Sequence, residues 1–274
     1  MSVDEVVDAT EALGEKPLAL VTGASSGIGY ELAKVFAENG YDLVIASANA
    51  EKLADAAESL ALLDDQPAVE IVPVDLSTAE GVRKLYESVR VLGRPIDLLA
   101  ANAGVGVSGD FDATSLDAEL ALINLNVTSQ VHLIKLVLRD MVGRGSGDIL
   151  ITSSIAGTMP GPHYAVYAAS KAFLRFFGQG IRSELKGSGV NVTVLMPGPT
   201  DTEFFERADM VDTKAGQGEK QDPAEVAAAA FQALREGSDH VIPGLKNKLQ
   251  VGMAKLMPDE VRAKVHGAQT KREH

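Results

Sequence analysis

The sequence predicts an α/β fold in which a parallel sheet lies between two layers of helices. Short, continuously apolar segments recur along the chain, as expected for strands that are buried on both faces. A longer segment with helical spacing of its apolar residues follows each of them, and this alternation is typical of a parallel sheet that helices cover on both sides. A length of 274 residues suits one large domain of this kind.

Six pairs of strand and helix follow one another along the chain. The strands are predicted at residues 18–21, 43–46, 69–74, 98–100, 149–151 and 192–195. The helices are predicted at residues 28–39, 51–63, 79–92, 116–142, 166–186 and 223–236. Gly40 closes the first of these helices, since glycine commonly follows the last helical residue.

The two ends of the chain differ in charge from the body. Residues 1–16 hold five acidic residues and one lysine, and we interpret them as an acidic extension. Residues 17–245 are predicted to form a single domain. From Lys246 onward there are seven Lys or Arg residues and three acidic ones, so residues 246–274 form a basic tail, which we expect to be a solvated helix.

The composition excludes several classes of protein. Hydrophobic residues make up 46% of the chain and charged residues 23%, which indicates a globular protein rather than a disordered one. The formal net charge of −13 argues against a nucleic-acid partner, which would require a basic face. The absence of cysteine excludes disulfides, thiolate metal sites and a cysteine nucleophile, and it fits a cytoplasmic location.

The sequence does not predict a membrane span or a secretory signal. The N-terminus lacks the basic start and apolar run of a signal peptide. The longest stretch without a formal charge is residues 149–170, and its 22 residues would be long enough to cross a membrane. However, Gly157, Pro160, Gly161 and Pro162 interrupt it. We therefore interpret it as a strand, a loop and the start of a helix.

A glycine-rich turn, Thr-Gly-Ala-Ser-Ser-Gly-Ile-Gly at residues 22–29, joins the first strand to the first helix. In this context Gly23 permits a tight turn, Gly27 lets a pyrophosphate approach the backbone, and Gly29 allows the helix to pack closely on the strand. The helix N-terminus then presents free N–H groups to the anion. Two alternatives remain: the glycines serve the turn alone, or residues 23–27 are the G-x-S-x-G nucleophile elbow of a serine hydrolase, with Ser25 as nucleophile.

A tyrosine and a lysine stand four residues apart at Tyr167 and Lys171. On a helix this spacing places both side chains on one face. A nearby lysine charge favours the phenolate, so we expect it to lower the pKa of Tyr167 from about 10 toward neutrality. A tyrosine tuned in this way could act as a general acid or base, whereas an ordinary surface pair would have no such role.

Polar residues or glycines follow four of the predicted strands. The carboxyl ends of parallel strands line the ligand crevice of open α/β sheets, so these residues are expected to converge there. They are Asp75 after strand 69–74, Asn102 and Gly104 after strand 98–100, Ser153 and Ser154 after strand 149–151, and Pro197 and Gly198 after strand 192–195.

Taken together, these motifs closely resemble the short-chain dehydrogenase/reductase family in its form of roughly 250 residues. The resemblance covers about residues 17–245, and it implies a Rossmann-type catalytic domain with a doubly wound sheet of about seven strands. The seventh strand would lie near residues 240–242. The matching positions are residues 22–29, Asp75, residues 102–104, Asn126, Ser154, Tyr167, Lys171 and residues 197–198.

The resemblance implies that a nicotinamide dinucleotide binds along the crevice. The phosphates and ribose would contact the glycine-rich turn, the adenine would contact Asp75 and Leu76, and the nicotinamide end would lie near the strand that ends at residue 195. The full implied set is Gly23, Ser25, Ser26, Gly27, Ile28, Gly29, Ser47, Asp75, Leu76, Asn102, Ala103, Gly104, Tyr167, Lys171, Pro197, Gly198, Thr200 and Thr202.

The resemblance also implies a catalytic set that needs no metal. Tyr167 matches the family's proton donor in carbonyl reduction, and Lys171 would lower its pKa. Ser154 would hold the substrate oxygen, with Ser153 beside it as the less favoured candidate. Asn126 matches an asparagine that supports a proton relay, and Asn124 is the alternative. The protein is thus expected to be an oxidoreductase that interconverts a carbonyl and a secondary alcohol, or else a non-catalytic dinucleotide-binding regulator.

The end of the second predicted strand, residues 45–49, bears on the choice between NAD and NADP. A carboxylate there would bind the ribose 2′-hydroxyl of NAD, and an arginine would accommodate the 2′-phosphate of NADP. The stretch contains neither, and Ser47 and Asn49 could bond to either group. Because no acid repels a phosphate, we expect NADP(H) to be favoured over NAD(H).

Three loops, at residues 105–111, 155–164 and 199–222, are expected to shape the substrate pocket, and the last has the mixed composition of a mobile lid. Their side chains predict an apolar wall that suits a small apolar ketone or alcohol. His163 is the titratable residue of that wall and is interpreted as filling space. The apolar candidates are Val105, Val107, Met159, Tyr164, Phe204, Phe205 and Met210.

Helices 116–142 and 166–186 carry more apolar residues than one buried face requires, with Phe173, Phe176 and Phe177 as examples. In the family these helices pair subunits, which implies a homodimer or a homotetramer. Burial within one subunit is the alternative explanation of the surplus.

Overall fold

The computed structural model of the protein describes residues 16–254 and 256–271. Its seven strands form one parallel sheet in the order β3-β2-β1-β4-β5-β6-β7. Residues 1–15, which make up nearly all of the acidic extension predicted from the sequence, lie outside the described residues. The strands are β1 (Leu18–Thr22), β2 (Asp42–Ser47), β3 (Val69–Pro73), β4 (Leu98–Ala101), β5 (Gly147–Thr152), β6 (Val190–Leu195) and β7 (His240–Val241).

Helices connect the strands and continue beyond the last of them. Five of them, α1, α2, α3, α6 and α9, begin and end within about two residues of the predicted bounds. In chain order they are α1 (Gly27–Ala37), α2 (Ala50–Ala61), α3 (Ala79–Val91), α4 (Leu116–Ile123), α5 (Ser129–Arg144), α6 (Ala165–Glu184), α7 (Phe204–Arg207), α8 (Lys214–Gln217), α9 (Pro223–Arg235), α10 (Leu245–Ala254) and α11 (Asp259–Thr270).

The sheet is buried on both faces, and each face carries its own apolar cluster. Successive strand residues point to opposite faces, so Leu18 and Leu20 of β1 join the cluster under α3, α5 and α6. Ala19 and Val21 of the same strand join the cluster under α1, α2 and α9. This two-sided burial explains the continuously apolar strands, and it confirms the predicted Rossmann-type fold with three layers.

The long helix predicted at residues 116–142 is interrupted in its middle. A π-helical segment, Asn124–Thr128, separates α4 from α5 and opens one wide turn. Single π-helical turns are rare in proteins overall, and those that occur often lie at functional sites. This turn brings the side chain of Asn126 inward, where it is fully buried.

The continuous run Leu116–Arg144 is long and apolar enough to cross a membrane, with a mean hydropathy of 1.3 over its best window. Its inward residues, among them Leu133, Val137 and Met141, belong to the buried cluster on one face of the sheet. A buried core helix of a globular domain can have the same length and apolar composition as a membrane-spanning helix, so these two properties are weak evidence for a membrane span.

The basic tail departs from the solvated helix expected for it. It contains α10 and α11, and both bury part of their surface against the rest of the protein. Val251 of α10 and His266 and Thr270 of α11 are each no more than 5% exposed. Their contacts lie at the edge of the crevice described below.

Candidate active site

The order of the strands reverses between β1 and β4, and a crevice opens outside the carboxyl ends of these two strands. This is the position at which open α/β sheets bind ligands. A cavity of about 990 Å³ occupies the crevice. All the residues assigned above to dinucleotide binding line it, and so do Ser154, Tyr167 and Lys171. The structure therefore brings together residues that are up to 179 positions apart in the chain, from Gly23 to Thr202.

The glycine-rich turn is shaped by backbone conformations and contacts that side chains would disrupt. Gly23 and Gly27 have φ angles of +69° and +57°, in the left-handed region. A Cβ atom on Gly29 would lie 2.0 Å from the carbonyl oxygen of Gly23, which shows how tightly α1 begins against the turn. A Cβ atom on Gly27 would lie 2.8 Å from Cγ2 of Thr202, so the loop after β6 closes over the turn.

The N-terminus of α1 faces the cavity without a side-chain cap. Ser26 precedes the helix but makes no capping hydrogen bond. The first backbone N–H groups of a helix have no partner within the helix, and they attract anions. The turn thus offers an anion site at the place where the spacing of its glycines predicted one.

The ends of β1 and β4 are tied together beside this turn. The backbone N–H of Asn102 donates to Oγ1 of Thr22 at 3.0 Å, and Nδ2 of Asn102 donates to the carbonyl oxygen of Thr22 at 3.1 Å. These bonds explain why a polar residue ends β4. After β3, at the edge of the sheet, Asp75 accepts a bond from the N–H of Ser77 at 2.8 Å.

The two serines at the end of β5 have different partners. The hydroxyl of Ser153 is buried and donates to the carbonyl oxygen of Lys171 at 2.6 Å, so it serves to hold α6 against the strand. Ser154 lines the cavity next to Tyr167, whose pKa it lowers in part, and its hydroxyl donates to the carbonyl oxygen of Pro197 at 3.3 Å. This arrangement favours Ser154 over Ser153 as the group that meets a substrate.

Tyr167 and Lys171 lie on the inner face of α6 and are almost completely buried. Nζ of Lys171 donates to the carbonyl oxygen of Thr152 at 3.0 Å and lies 5.8 Å from the centre of the Tyr167 ring. Burial lowers the pKa of Lys171 to about 8, because a charged ammonium is costly where water is excluded.

Burial also raises the pKa of Tyr167 to about 12, although the hydrogen bond with Ser154 lowers it in part. The expected lowering toward neutrality is therefore wrong for the protein described here. The physical reason is that loss of solvation disfavours the phenolate more than the neighbouring polar groups favour it. The phenol keeps its proton at neutral pH.

Asn126 lies behind the cavity rather than in its wall. Its Oδ1 accepts from the N–H of Val105 at 2.9 Å, and its Nδ2 donates to the carbonyl oxygen of Val105 at 2.9 Å and to Ser170 at 3.2 Å. The alternative, Asn124, is exposed. Asn126 thus anchors the loop after β4 to α6, close to Lys171, because a Cβ atom on Gly104 would lie within 3.3 Å of both side chains.

The substrate end of the cavity has an apolar wall. Five of the seven apolar candidates named from the sequence line the cavity: Val105, Tyr164, Phe204, Phe205 and Met210. Val107 packs against the apolar cluster around Tyr164 instead, and Met159 is only half-buried and does not reach the cavity. The rings of Tyr164 and Phe204 lie against Tyr167, with centroids 5.7 and 5.3 Å from its own.

His163 does not line the cavity. Its Nδ1 lies 2.7 Å from a carboxylate oxygen of Asp110, and its backbone has a φ angle of +64°. The carbonyl oxygen of His163 accepts from the N–H of Gly109 at 2.7 Å. His163 thus joins two of the predicted substrate loops, which agrees with the interpretation that it does not contact the substrate.

Sequence reasoning missed the contribution of the C-terminal helices. Gln250 of α10 and His266, Gln269 and Thr270 of α11 line the far end of the cavity. No spacing or motif distinguishes these residues in the sequence.

The hydrolase alternative finds no support at Ser25. Its hydroxyl lies 2.9 Å from the hydroxyl of Ser47. His266 is engaged by Tyr164 and by the carbonyl oxygen of Pro160. Within residues 16–254 and 256–271, no histidine contacts Ser25 through a hydrogen bond, so the described residues contain no Ser–His pair at this turn.

The residues of the crevice fit a nicotinamide dinucleotide. The anion site at the start of α1 would hold its pyrophosphate, since Gly23, Ser26 and Gly27 line the cavity there. Oγ1 of Thr152 is buried at the cavity and has no hydrogen-bond partner among the described residues. A buried hydroxyl without a partner is costly, and a bound polar group would satisfy it.

A Rossmann-type sheet with this glycine-rich turn and a buried Ser–Tyr–Lys cluster defines a dinucleotide-dependent oxidoreductase as the class of protein. The comparisons with known proteins agree. A family model described as short chain dehydrogenase matches residues 17–211. The chain therefore belongs to the short-chain dehydrogenase family.

Individual relatives cover most of the chain. An uncharacterized oxidoreductase of Staphylococcus saprophyticus is 34% identical over 221 residues, which are 81% of this chain and 92% of that protein. A short-chain dehydrogenase from Sphingobium yanoikuyae, solved in complex with NADPH, is 32% identical with a TM-score of 0.78 and covers 88% of this chain and 94% of its own. A family member from Burkholderia phymatum, solved with NAD, shares the fold at 22% identity, a TM-score of 0.81 and coverage of 95% and 98%.

Proposed function

We propose that the protein interconverts a carbonyl and a secondary alcohol, with a nicotinamide dinucleotide as the partner in hydride transfer. One observation carries the proposal: Ser154, Tyr167 and Lys171 form a buried cluster at the edge of a crevice that fits the dinucleotide. A binding protein would not need to bury a phenol and an ammonium side by side, because both are costly to remove from water.

A bound dinucleotide would supply the hydride. The residues of the chain supply the remaining steps of a carbonyl reduction. The hydroxyls of Ser154 and Tyr167 donate hydrogen bonds to the carbonyl oxygen and so stabilise the negative charge that develops there. The Tyr167 hydroxyl then gives its proton to that oxygen, and the O–H bond of the alcohol forms as the phenol O–H bond breaks.

The charge of Lys171 supports the proton transfer from Tyr167. The phenolate left on Tyr167 is stabilised by the nearby ammonium of Lys171, which carries its charge below a pH of about 8. Because the pKa of Tyr167 is raised to about 12, the phenol holds its proton at neutral pH. The resting protein is thus prepared for reduction of a carbonyl, and the reverse reaction requires the phenolate.

We further propose NADP(H) as the favoured cofactor. Ser47 and Ala48 line the cavity at the end of β2, and neither is acidic. The side-chain oxygen of Asn49 caps α2 by accepting from the N–H of Lys52 at 2.9 Å, so Ser47 is the hydroxyl that remains for the ribose. Nζ of Lys52 lies 2.6 Å from Oε1 of Glu203, and neither residue is among those that line the cavity.

The substrate is proposed to be a small apolar ketone or alcohol. Val105, Tyr164 and Phe204 pack in one cluster with Tyr167, and Met210 lines the same cavity. Burial of apolar groups of the substrate against these side chains would provide the binding energy, and Ser154 and Tyr167 would fix the orientation. The cytoplasmic location expected from the composition stays a prediction.

A homo-oligomer is also proposed, with α4 and α6 at the contact. Phe111, Ile123 and Phe173 line one shallow apolar groove between these helices. Phe176 of α6 is 65% exposed, whereas Phe177 packs against the core. The apolar surplus in these helices is therefore only partly buried within one subunit, and exposed apolar surface of this kind favours contact with a second copy.

The test of the proposed function combines cofactor binding with one substitution. NADPH or NADH should raise the unfolding temperature of the wild type, because each would bind only the folded state. The Tyr167→Phe variant should show the same rise but reduce an apolar ketone at least about a hundredfold more slowly, since it lacks the proton that the reaction consumes.

Two outcomes would contradict the proposal. If neither dinucleotide raises the unfolding temperature, the crevice does not bind them. If both do so but Tyr167→Phe is as active as the wild type, Tyr167 is not the proton donor. If both do so but the wild type and Tyr167→Phe are equally inactive with every ketone tried, the protein is a binding protein rather than this enzyme. Thr193→Val, a change in β6 away from the cavity, serves as a control for effects of buried substitutions on folding.

A further inference from the structure

The C-terminal helix α11 contacts the loop that precedes α6 through three regularly spaced side chains. Arg262 donates to the carbonyl oxygen of Thr158 at 3.3 Å, and Nδ1 of His266 lies 2.9 Å from the carbonyl oxygen of Pro160. Thr270 donates from its hydroxyl to the carbonyl oxygen of Pro162 at 2.8 Å. The contacts follow one another in the same order along both segments.

The spacing of these contacts matches the geometry of the two segments. Residues 262, 266 and 270 are four apart, so they form one stripe on the helix and rise by about 6 Å per step. Residues 158, 160 and 162 are two apart, and two residues of extended chain span about 6.6 Å. One face of α11 therefore bonds to alternate carbonyl groups of this loop. We refer to residues 158–164 as the substrate loop.

The substrate loop depends on such external partners. Pro160 and Pro162 have no backbone N–H, so they cannot donate hydrogen bonds of their own. Thr158 and Pro162 are half-buried and Pro160 is exposed, so their carbonyl groups are only partly removed from water. The bonds from α11 satisfy three carbonyl groups of a segment that has few internal bonds to hold its shape.

His266 makes a second contact, with the hydroxyl of Tyr164. A carbonyl oxygen can only accept, so Nδ1 of His266 must carry the proton that it shares with Pro160. Nε2 is then the unprotonated nitrogen, and it accepts from the phenol of Tyr164. Burial lowers the pKa of His266 and raises that of Tyr164, which agrees with a neutral imidazole and a protonated phenol.

Tyr164 connects this contact to the reacting groups. Its ring stacks on that of Tyr167, with centroids 5.7 Å apart and planes 19° apart. Tyr164, His266 and Thr270 all line the substrate end of the cavity. The position of α11 thus determines where the wall beside Tyr167 lies.

We propose that α11 is a specificity element of the active site, in which His266 is a positioning residue that holds Tyr164 and the substrate loop as one wall of the ketone pocket. The inference rests on the proposed function for the identity of the substrate. Tyr167, Ser154 and Lys171 are held by β5 and α6, so the wall can change while the reacting groups stay in place.

The test compares His266→Leu with the wild type in two measurements. In hydrogen–deuterium exchange without cofactor, the backbone amides of residues 156–168 should exchange about tenfold faster, because two buried hydrogen bonds are lost there. With acetophenone as the probe, the KM should rise about tenfold while kcat changes less than about threefold, since the wall binds the substrate but does not react. The Kd for NADPH should be unchanged.

Two further variants separate positioning from general stability. His266→Gln should restore both values, because a side-chain amide can accept from Tyr164 and donate to Pro160 at the same time. Tyr164→Phe should raise the KM in the same manner. Lys264→Ala, on the exposed face of the same helix, should match the wild type.

The proposal is overturned if exchange in residues 156–168 is unchanged in His266→Leu, or if it rises equally throughout the domain. It is also overturned if kcat falls while the KM stays constant. A wild type that reduces no ketone would count against the proposed function instead, and the exchange measurement would still decide the role of His266.

Discussion

Replacement of Lys171 by methionine should stabilise the protein while abolishing its activity. Lys171 is 5% exposed, and burial lowers its pKa from an ordinary value of 10.5 to about 8. The native state therefore carries a charge that costs free energy at neutral pH. Methionine has a similar length and no charge, so it fills the space without that cost.

The magnitude follows from the change in pKa. The pKa falls by about 2.5, which at about 1.36 kcal/mol for each whole number of pKa amounts to about 3.4 kcal/mol. The variant also loses the hydrogen bond from Nζ to the carbonyl oxygen of Thr152, which costs about 1 kcal/mol. The net expectation is a gain of about 2 kcal/mol in the free energy of unfolding at a pH of about 6.5.

The gain should depend on pH in a defined direction. Below about pH 8 both the native and the unfolded wild type hold the Lys171 proton, so the full cost applies. Between about 8 and 10.5 the native state releases the proton first, and the wild type becomes more stable relative to the variant. At a pH of about 9.5 the remaining cost is near 1 kcal/mol, so the advantage of Lys171→Met should nearly disappear.

Urea unfolding followed by circular dichroism, at both pH values and without dinucleotide, measures these differences. The chain contains no tryptophan, so circular dichroism is a more suitable signal than fluorescence. Lys186→Met, at an exposed position, is the matched control and should change the free energy of unfolding by less than about 0.5 kcal/mol. A stability difference between Lys171→Met and the wild type that is the same at both pH values would refute the reasoning.

Two other predictions concern the cofactor and the assembly. Ser47→Asp should change the ratio of the Kd values for NADPH and NADH by at least about tenfold in favour of NADH. The reason is that a carboxylate at the end of β2 repels a 2′-phosphate and accepts a hydrogen bond from a 2′-hydroxyl. An unchanged ratio of the two Kd values would count against NADP(H) as the favoured cofactor. Light scattering should give two or four times the chain mass of 28.8 kDa, and Phe176→Asp should lower that mass by placing a charge in the proposed contact; a wild type of 28.8 kDa would remove the proposed homo-oligomer.

The fold could be predicted from the sequence because strands that are buried on both faces have a distinct pattern of apolar residues. The continuously apolar segment at β1 sends alternate residues to the two apolar clusters, so a run such as Leu18–Thr22 is informative without any knowledge of its neighbours. The glycine-rich turn was accessible for a similar reason, since its left-handed backbone at Gly23 and Gly27 requires glycine locally.

Other features depend on contacts between distant residues. The pKa of Tyr167 depends on the extent of its burial, which comes from Tyr164, Phe204 and the end of β5 together. The spacing from Tyr167 to Lys171 correctly placed both side chains on one face of α6, but it carried no information about solvation. The π-helical turn that buries Asn126 is likewise a response to packing, and the sequence showed only a long apolar helix there.

The sequence by itself determined the sheet, the order of its elements and the residues at the strand ends, because each depends on local periodicity or on a conformation that few residues adopt. Only the tertiary structure decided that the hydroxyl of Ser153 is bonded to the backbone of α6 and that α11 lies against the substrate loop. The bonds of α11 join residues 104 to 108 positions apart and leave no periodic signal in the sequence. They form because the fold brings donors of α11 next to part-buried carbonyl groups of the loop, and the fold alone determines which donors are near.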